Sequence, residues 1–163
     1  MSFVNSEGYA DPTAGAAIAV VMREEELQRK ARSPRHSSGR PLVYICSPFA
    51  GDVKRNTAKA RRYCRFAVAR GCIPVAPHLM FPQFMDDHDP AERAMALAFG
   101  KKLLDRCAEV WIFGVRLTGG MKAEYARALY RGVRVRYFTD SCREISRKAA
   151  ELVYAAAEGG AAS

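Results

Sequence analysis

The feature that most constrains this chain is a set of short apolar runs, each followed by a loop and then by a helical pattern. Leu42-Val43-Tyr44-Ile45-Cys46, Cys72 to Ala76, Glu109 to Phe113 and Val133 to Phe138 are the runs. Leu42 to Cys46 and Glu109 to Phe113, nearly continuous in apolar residues, read as strands covered on both faces, and Cys72 to Ala76 and Val133 to Phe138 read as the second and fourth strands. Between them, Asn56 to Arg70 places Ala60, Tyr63, Cys64, Ala67 and Val68 on one stripe and turns Arg61, Arg62 and Arg65 outward, with Gly71 as its stop. Pro90 fits the first turn of a second helix that runs to about Cys107 behind Asp89, and Met121 to Arg131 forms a third, stopped by Gly132. A last helix is expected from about Ser141 to Ala157. Strands alternating with helices predict an α/β fold, a doubly wound parallel sheet of four to five strands with helices on both faces.

A core of that kind needs enough chain, and 163 residues with 49% hydrophobic content supply it. The chain divides by composition into an N-terminal helix and basic linker over 1–40, an α/β domain over 41–140, and a C-terminal helix and tail over 141–163. Asp11 to Arg32 reads as the N-terminal helix, and Arg29 to Arg40 holds five basic residues and no acid, broken by Ser, Pro and Gly. The longest apolar run, Ala14 to Met22, is far short of the roughly 20 residues a membrane span needs. The first eleven residues carry Glu7 and Asp11 but no Lys or Arg, unlike a secretory leader, so a cytoplasmic location is expected. Five cysteines with no CxxC pair, mostly within apolar runs, read as free thiols. The formal charge of +9 favours anionic partners in general.

In open α/β sheets ligands bind beyond the carboxyl ends of strands, where strand order reverses. Ser47 to Asp52, Pro77 to Asp89 and Gly114 to Gly120 are the loops that follow the first three strands, and together they are expected to form one site. The most informative stretch is Thr118-Gly119-Gly120-Met121-Lys122-Ala123-Glu124. A glycine pair lets backbone amides approach a ligand, and the helix N-terminus behind it favours an anion. Glu124 shares the helix face of Met121 and Ala128, where a carboxylate is out of place. Two readings stay open for it: an edge carboxylate paired to an arginine, which spacing alone favours, or a reactive group.

Tyr44-Ile45-Cys46-Ser47-Pro48-Phe49-Ala50-Gly51-Asp52, Ala76-Pro77-His78-Leu79-Met80-Phe81-Pro82-Gln83-Phe84, Val110-Trp111-Ile112-Phe113-Gly114 and Gly120-Met121-Lys122-Ala123-Glu124 occur in this order. Together they resemble the nucleoside 2-deoxyribosyltransferase-like family, and within it an uncharacterised phage and bacterial branch, over Pro41 to Phe138. The resemblance implies a flavodoxin-like or Rossmann-like fold. It also implies cleavage of the N-glycosidic bond of a deoxynucleoside or nucleoside 5′-monophosphate, by hydrolysis or base exchange, through a Glu nucleophile and a glycosyl-enzyme. Glu124 matches that nucleophile, with the small residues Ala126 and Ala128 following at the family's spacing.

By the same resemblance, Tyr44 and Ser47 match the strand end that holds the sugar and any 5′-phosphate, with Pro48, Phe49, Gly51 and Asp52 beside them. Thr118, Gly119 and Gly120 match a phosphate-side turn, with Gly114 before it and Met121 after it. Tyr44 reads equally well as sheet packing, Ser47 as a turn residue and Thr118 as a helix cap. The leaving base needs a proton, for which Asp86, Asp87 and His78 are the candidates in the second loop; a solvated acidic turn is the competing reading. A location one turn into a helix predicts that Glu124 stays ionised in the positive end of the helix dipole.

Many relatives carry an Asp in the helix before the third strand and another after the position matched by Cys107. Here Gly100 and Ala108 stand there, with Asp105 and Glu109 as neighbouring carboxylates able to substitute in part. That departure keeps a noncatalytic nucleotide-binding module as the alternative. A nucleic-acid-binding protein comes third, since neither an aromatic-basic RNA signature nor zinc-finger spacing accompanies the arginines. His78, Asp86, Asp87, His88 and Asp89 match no ligand spacing, so no metal and no cofactor are expected. The resemblance further implies a homo-oligomer, a dimer or larger, without a membrane partner.

Overall fold

The computed structural model describes residues 39–159. The expected N-terminal helix and most of the basic linker lie outside the described residues. Eleven elements follow in order: β1 (Leu42–Cys46), α1 (Val53–Ala69), β2 (Ile73–Val75), α2 (Pro77–Met80), a 3-10 turn (Phe81–Gln83), α3 (Pro90–Leu104), β3 (Glu109–Phe113), α4 (Gly119–Arg131), β4 (Arg134–Phe138), β5 (Glu144–Ile145) and α5 (Arg147–Gly159). The sheet order is β2-β1-β3-β4-β5, the flavodoxin-like arrangement. Tyr44 lies level with Val75 on one side and Val110 on the other, so β1 is the strand beside which the order of the sheet reverses.

Each strand turns alternate side chains to opposite layers. Tyr44, Cys46, Val110, Ile112 and Tyr137 pack with Leu104 of α3, Met121 and Ala128 of α4, and Ala150 and Tyr154 of α5. Val43, Ile45, Trp111, Phe113 and Phe138 pack on the other face with Tyr63 and Ala67 of α1. Within that second layer Tyr63 stacks on Phe113 with ring centroids 4.1 Å apart, and Phe113 on Phe138 at 5.0 Å. Helices on both faces of the sheet are therefore what the alternating sequence pattern builds.

Several boundaries differ from the sequence expectation. Helix α1 begins at Val53 rather than Asn56, because the Asp52 side chain accepts from the Arg55 N–H at 3.0 Å and caps an earlier turn. The stretch from Pro77 to Asp89 is not one long loop. Proline at the first position of α2 sacrifices no helical hydrogen bond, and Phe81 in the following turn is buried against its neighbours. The last helix starts at Arg147, since Glu144–Ile145 first adds an antiparallel edge strand to β4 and makes the sheet mixed rather than wholly parallel. Arg136 of β4 fixes that edge by a two-pronged contact to Glu144, at 2.8 and 2.6 Å. All five cysteines are free thiols; Cys46, Cys72 and Cys107 are buried, and Cys64 and Cys142 half-buried. Among the described residues no helix is long and apolar enough to cross a membrane.

Candidate active site

The floor of the site follows from the end of β1. Tyr44 is fully buried, and alternation points it to the α4 side of the sheet, where its hydroxyl donates to Oε1 of Glu124 at 2.8 Å. Glu124 reaches that position because Thr118 caps α4, accepting from the Met121 N–H at 3.4 Å, so that the helix starts at Gly119 rather than Met121. The glycine pair is thus the first helical turn and not a loop before it. Neither glycine has a positive φ, and a Cβ on either would meet nothing within 4 Å. No protein contact requires glycine there.

A cavity of about 350 Å3 opens above this floor at the junction of β1 and β3, lined by Tyr44, Ser47 and Phe49, by Pro77 and His78, by Asp86 and Asp87, and by Thr118, Gly119, Gly120, Met121 and Glu124. The reading of Glu124 as an edge carboxylate paired to arginine is set aside: the Tyr44 hydroxyl donates to it, no arginine pairs with it among the described residues, and one side of it borders the cavity. Burial raises the pKa of Glu124 above the usual carboxylate value, while the Cys46 thiol and the Tyr44 hydroxyl oppose that rise without cancelling it. The helix dipole therefore does not dominate, contrary to the expectation from position alone. The same burial, reinforced by the neighbouring carboxylate, drives the Tyr44 hydroxyl far above its ordinary range, so Tyr44 acts as a donor and not as a phenolate.

Ser47, also buried, shares a 3.0 Å hydrogen bond between its hydroxyl and Nε2 of His78. Burial pushes the His78 pKa down to about 4, which makes it a neutral imidazole near pH 7 rather than an imidazolium acid. Asp86 and Asp87 line the cavity but are engaged locally. Asp86 accepts from the His88 N–H at 2.8 Å, and Asp87 pairs with Arg93 at 2.8 Å. They border the cavity and also order the loop before α3.

Four expected binding residues do not line the cavity. Asp52 is the α1 cap, and Gly51 holds a left-handed turn at φ 92° in front of it. Pro48 stands between Ser47 and Phe49, which line the cavity, without lining it itself. Gly114, at φ 111°, backs instead onto Asp140, whose Oδ1 would lie 3.5 Å from a Cβ at that position. The proposed substitutes for missing carboxylates are spent elsewhere as well. Asp105 pairs with Arg127 and Arg131, and Glu109 with Arg134, Arg136 and the Trp111 indole N–H. Ala108 sits at the opposite end of the sheet, its N–H donating to Leu42 at the start of β1, so no side chain there faces the cavity.

Gly100 belongs to the site for a steric reason. A Cβ there would lie 3.3 Å from the Tyr44 hydroxyl oxygen, so the bare α3 backbone makes room for the hydroxyl that holds Glu124. The sequence reading missed the α3 wall of Glu92, Arg93, Ala96, Leu97 and Lys101, and also Phe81, Pro82 and Met85. Their signal was available: α3 directly follows a loop at the carboxyl end of β2. Among the described residues no cluster of three His, Cys, Asp or Glu is arranged to hold a metal ion.

Residues 41–138 match the domain described as "Domain of unknown function (DUF7768)". No curated protein sequence matches the chain. Among solved structures, a 2-deoxyribosyltransferase from the psychrotolerant bacterium Bacillus psychrosaccharolyticus has a similar fold, with a TM-score of 0.50 at 14% identity over 69% of this chain and 82% of that one. A 2-desoxiribosyltransferase from Leishmania mexicana aligns with a TM-score of 0.44 at 12% identity, over 61% of this chain and 64% of the other.

Proposed function

The chain belongs to the DUF7768 domain family, and from that premise we propose that it cleaves the N-glycosidic bond of a deoxynucleoside or its 5′-monophosphate with Glu124 as nucleophile. The observation that carries the reading is a carboxylate on the floor of a strand-end cavity, gripped through one oxygen by Tyr44 at 2.8 Å. Two glycines with no packing or backbone need for glycine open the first turn of its helix beside it.

In the first step the other carboxylate oxygen forms a bond to C1′ as the bond from C1′ to the base nitrogen breaks, and the base departs with the electron pair. Burial strips solvent from the carboxylate, so its charge acts at short range on the oxocarbenium-like transition state, while Tyr44 fixes its orientation. The departing base takes a proton from Asp86, since Asp87 is ion-paired with Arg93. In the second step Asp86 takes a proton back from the attacking water, or from the ring N–H of another base, as the new bond to C1′ forms and the bond from C1′ to Glu124 breaks. Ser47, His78, Phe49 and Thr118 bind the remainder of the substrate, with His78 neutral and able to donate or accept one hydrogen bond.

The test is incubation of the purified chain with a panel of deoxynucleosides and their 5′-monophosphates, free base being resolved by chromatography. Base release is expected with at least one member and is expected to fall at least about a thousandfold in Glu124→Gln. No release from any member, or release undiminished by that substitution, overturns the reading. A noncatalytic nucleotide-binding module is favoured by one observation, the absence of a carboxylate at Gly100; calorimetric binding without base release would select it.

A further inference from the structure

Helix α1 carries six basic residues, Lys54, Arg55, Lys59, Arg61, Arg62 and Arg65, and no acidic one. Against a formal charge of +9 for the whole chain, this one helix accounts for most of the excess. The cations are not spread evenly around it. Helical spacing puts Lys54, Arg61 and Arg65 on one line, with Arg55 and Arg62 on the line beside it, and all five are exposed. Lys54 to Arg65 spans about 16 Å of helix. Arg61 and Arg65 stand one turn apart, a like-charge spacing that costs an isolated helix stability. The nearby acids are committed: Asp52 caps α1 through the Arg55 N–H, and Asp140 takes Lys59 while its backbone carbonyl takes Arg62. Among the described residues Lys54, Arg61 and Arg65 have no ion-pair partner.

The stripe starts at the cavity. Phe49 and Ala50 line it, and the Asn56 side-chain amide donates to both of their carbonyls, at 3.1 and 2.9 Å. Asn56 follows Arg55 in the first turn of α1, and α1 connects the parallel strands β1 and β2, so the cationic line runs from the cavity rim back along the sheet. The opposite face of the helix, with Ala60, Tyr63 and Ala67, is buried in the fold, so α1 has no apolar side free to enter a bilayer. A line of charge one helix wide matches a strand of regularly spaced anionic groups better than a flat anionic surface. Four of its five cations are arginines, whose planar donor fork fits phosphate oxygens.

We infer that the outer face of α1 holds the sugar–phosphate backbone of a single-stranded nucleic acid that passes the mouth of the cavity. The choice of a nucleic acid over other polyanions rests on the nucleotide reading of that cavity; the contact itself requires no catalysis. The arginines grip phosphates, so the track reads charge and not base sequence. Along the chain these residues carry no nucleic-acid-binding signature, and they become contiguous only when the helix is wound.

The experiment is fluorescence anisotropy of a labelled single-stranded DNA of mixed sequence, about twelve nucleotides long, titrated with the full chain. Binding is expected in about 50 mM KCl, with affinity falling roughly as the third power of salt, the slope for about four neutralised phosphates. Arg61→Ala combined with Arg65→Ala should weaken it about tenfold or more and lower that exponent by about 1.4. Circular dichroism should show this variant folded, since neither side chain has a partner to lose. Lys102→Ala combined with Lys148→Ala removes the same charge from α3 and α5 and should change affinity by no more than about twofold. Glu124→Gln should bind as the wild type does. A chain that holds the strand through α1 yet releases no base therefore refutes the proposed chemistry and leaves the track standing. No binding in about 50 mM KCl overturns the inference. So does an equal loss in the two double variants, which marks general attraction to net charge, or capture by phosphatidylserine vesicles without binding of the DNA.

Discussion

Tyr44 and Glu124 are eighty positions apart in the chain and joined by a 2.8 Å hydrogen bond that ties β1 to the first turns of α4. The donor is fixed within the sheet layer, so the acceptor oxygen has little freedom to turn. Replacing Tyr44 by Phe keeps the ring and removes the donor. Because that donor lowers the pKa of a carboxylate already raised by burial, its loss raises the pKa further and leaves less of the ionised nucleophile. The acid limb of the pH profile for base release is therefore expected to move to higher pH, with the rate at neutral pH falling about tenfold for one lost charge-assisted bond. An unshifted limb would separate Tyr44 from the reactive carboxylate.

His78 makes folding itself sensitive to acid. Its pKa lies near 4 in the folded protein, against an ordinary 6.5, because burial disfavours the imidazolium. Between these values the unfolded chain binds more protons than the native one, so stability must decline as pH falls from about 6.5 toward 4. The full effect is at most about 3 kcal/mol and is reduced by the partial exposure of the ring to the cavity. Urea unfolding at pH 7 and pH 5 should show a clear drop for the wild-type chain and a smaller one for His78→Gln.

Asp140, just past β4, gathers Lys59 and Tyr63 onto its carboxylate, and Arg62 donates to its backbone carbonyl. Burial alone would raise its pKa, yet these partners outweigh it and hold the carboxyl below its usual value. The contribution to stability is thus present at neutral pH and lost as pH falls through the carboxylate range and below. Since the carboxylate is 41% exposed, Asp140→Ala is expected to cost only about 1–2 kcal/mol, read from the urea midpoint at pH 7. At pH 3 the difference between variant and wild type should shrink.

The parts of this architecture that could be read from sequence are those in which one residue type has one physical use. Leu42–Cys46 and Glu109–Phe113 are apolar without alternation, and only a strand covered on both faces accommodates that. Glu124 was visible as a carboxylate on an apolar helix face. Residues with two uses were not resolved. Gly51, Asp52 and Gly114 look alike as ligand-loop residues and as turn or cap residues, and the structure gives them the second use. The two-residue strand β5 is too short to show a period, and the wall formed by α3 was hidden because a helix whose apolar residues form no single stripe does not announce which side faces a cavity.

Gly100 links α3 to the Tyr44 contact and separates stability from activity. As an interior helical glycine it disfavours α3 by about 1 kcal/mol relative to alanine. A Cβ there lies 3.3 Å from the Tyr44 hydroxyl oxygen, a separation the neighbour can relieve by moving a few tenths of an ångström. The gain in helix propensity and the cost of crowding are comparable, so Gly100→Ala is expected to change unfolding free energy by no more than about 1 kcal/mol. The hydroxyl, however, can yield only by altering its hydrogen bond to Glu124. Base release should then fall about tenfold with the urea midpoint nearly unchanged, and Gly100→Ala combined with Tyr44→Phe should be no slower than Tyr44→Phe alone, since the crowded oxygen is gone. A Gly100→Ala chain as active as wild type would mean that the Tyr44 hydroxyl does not set the position of Glu124.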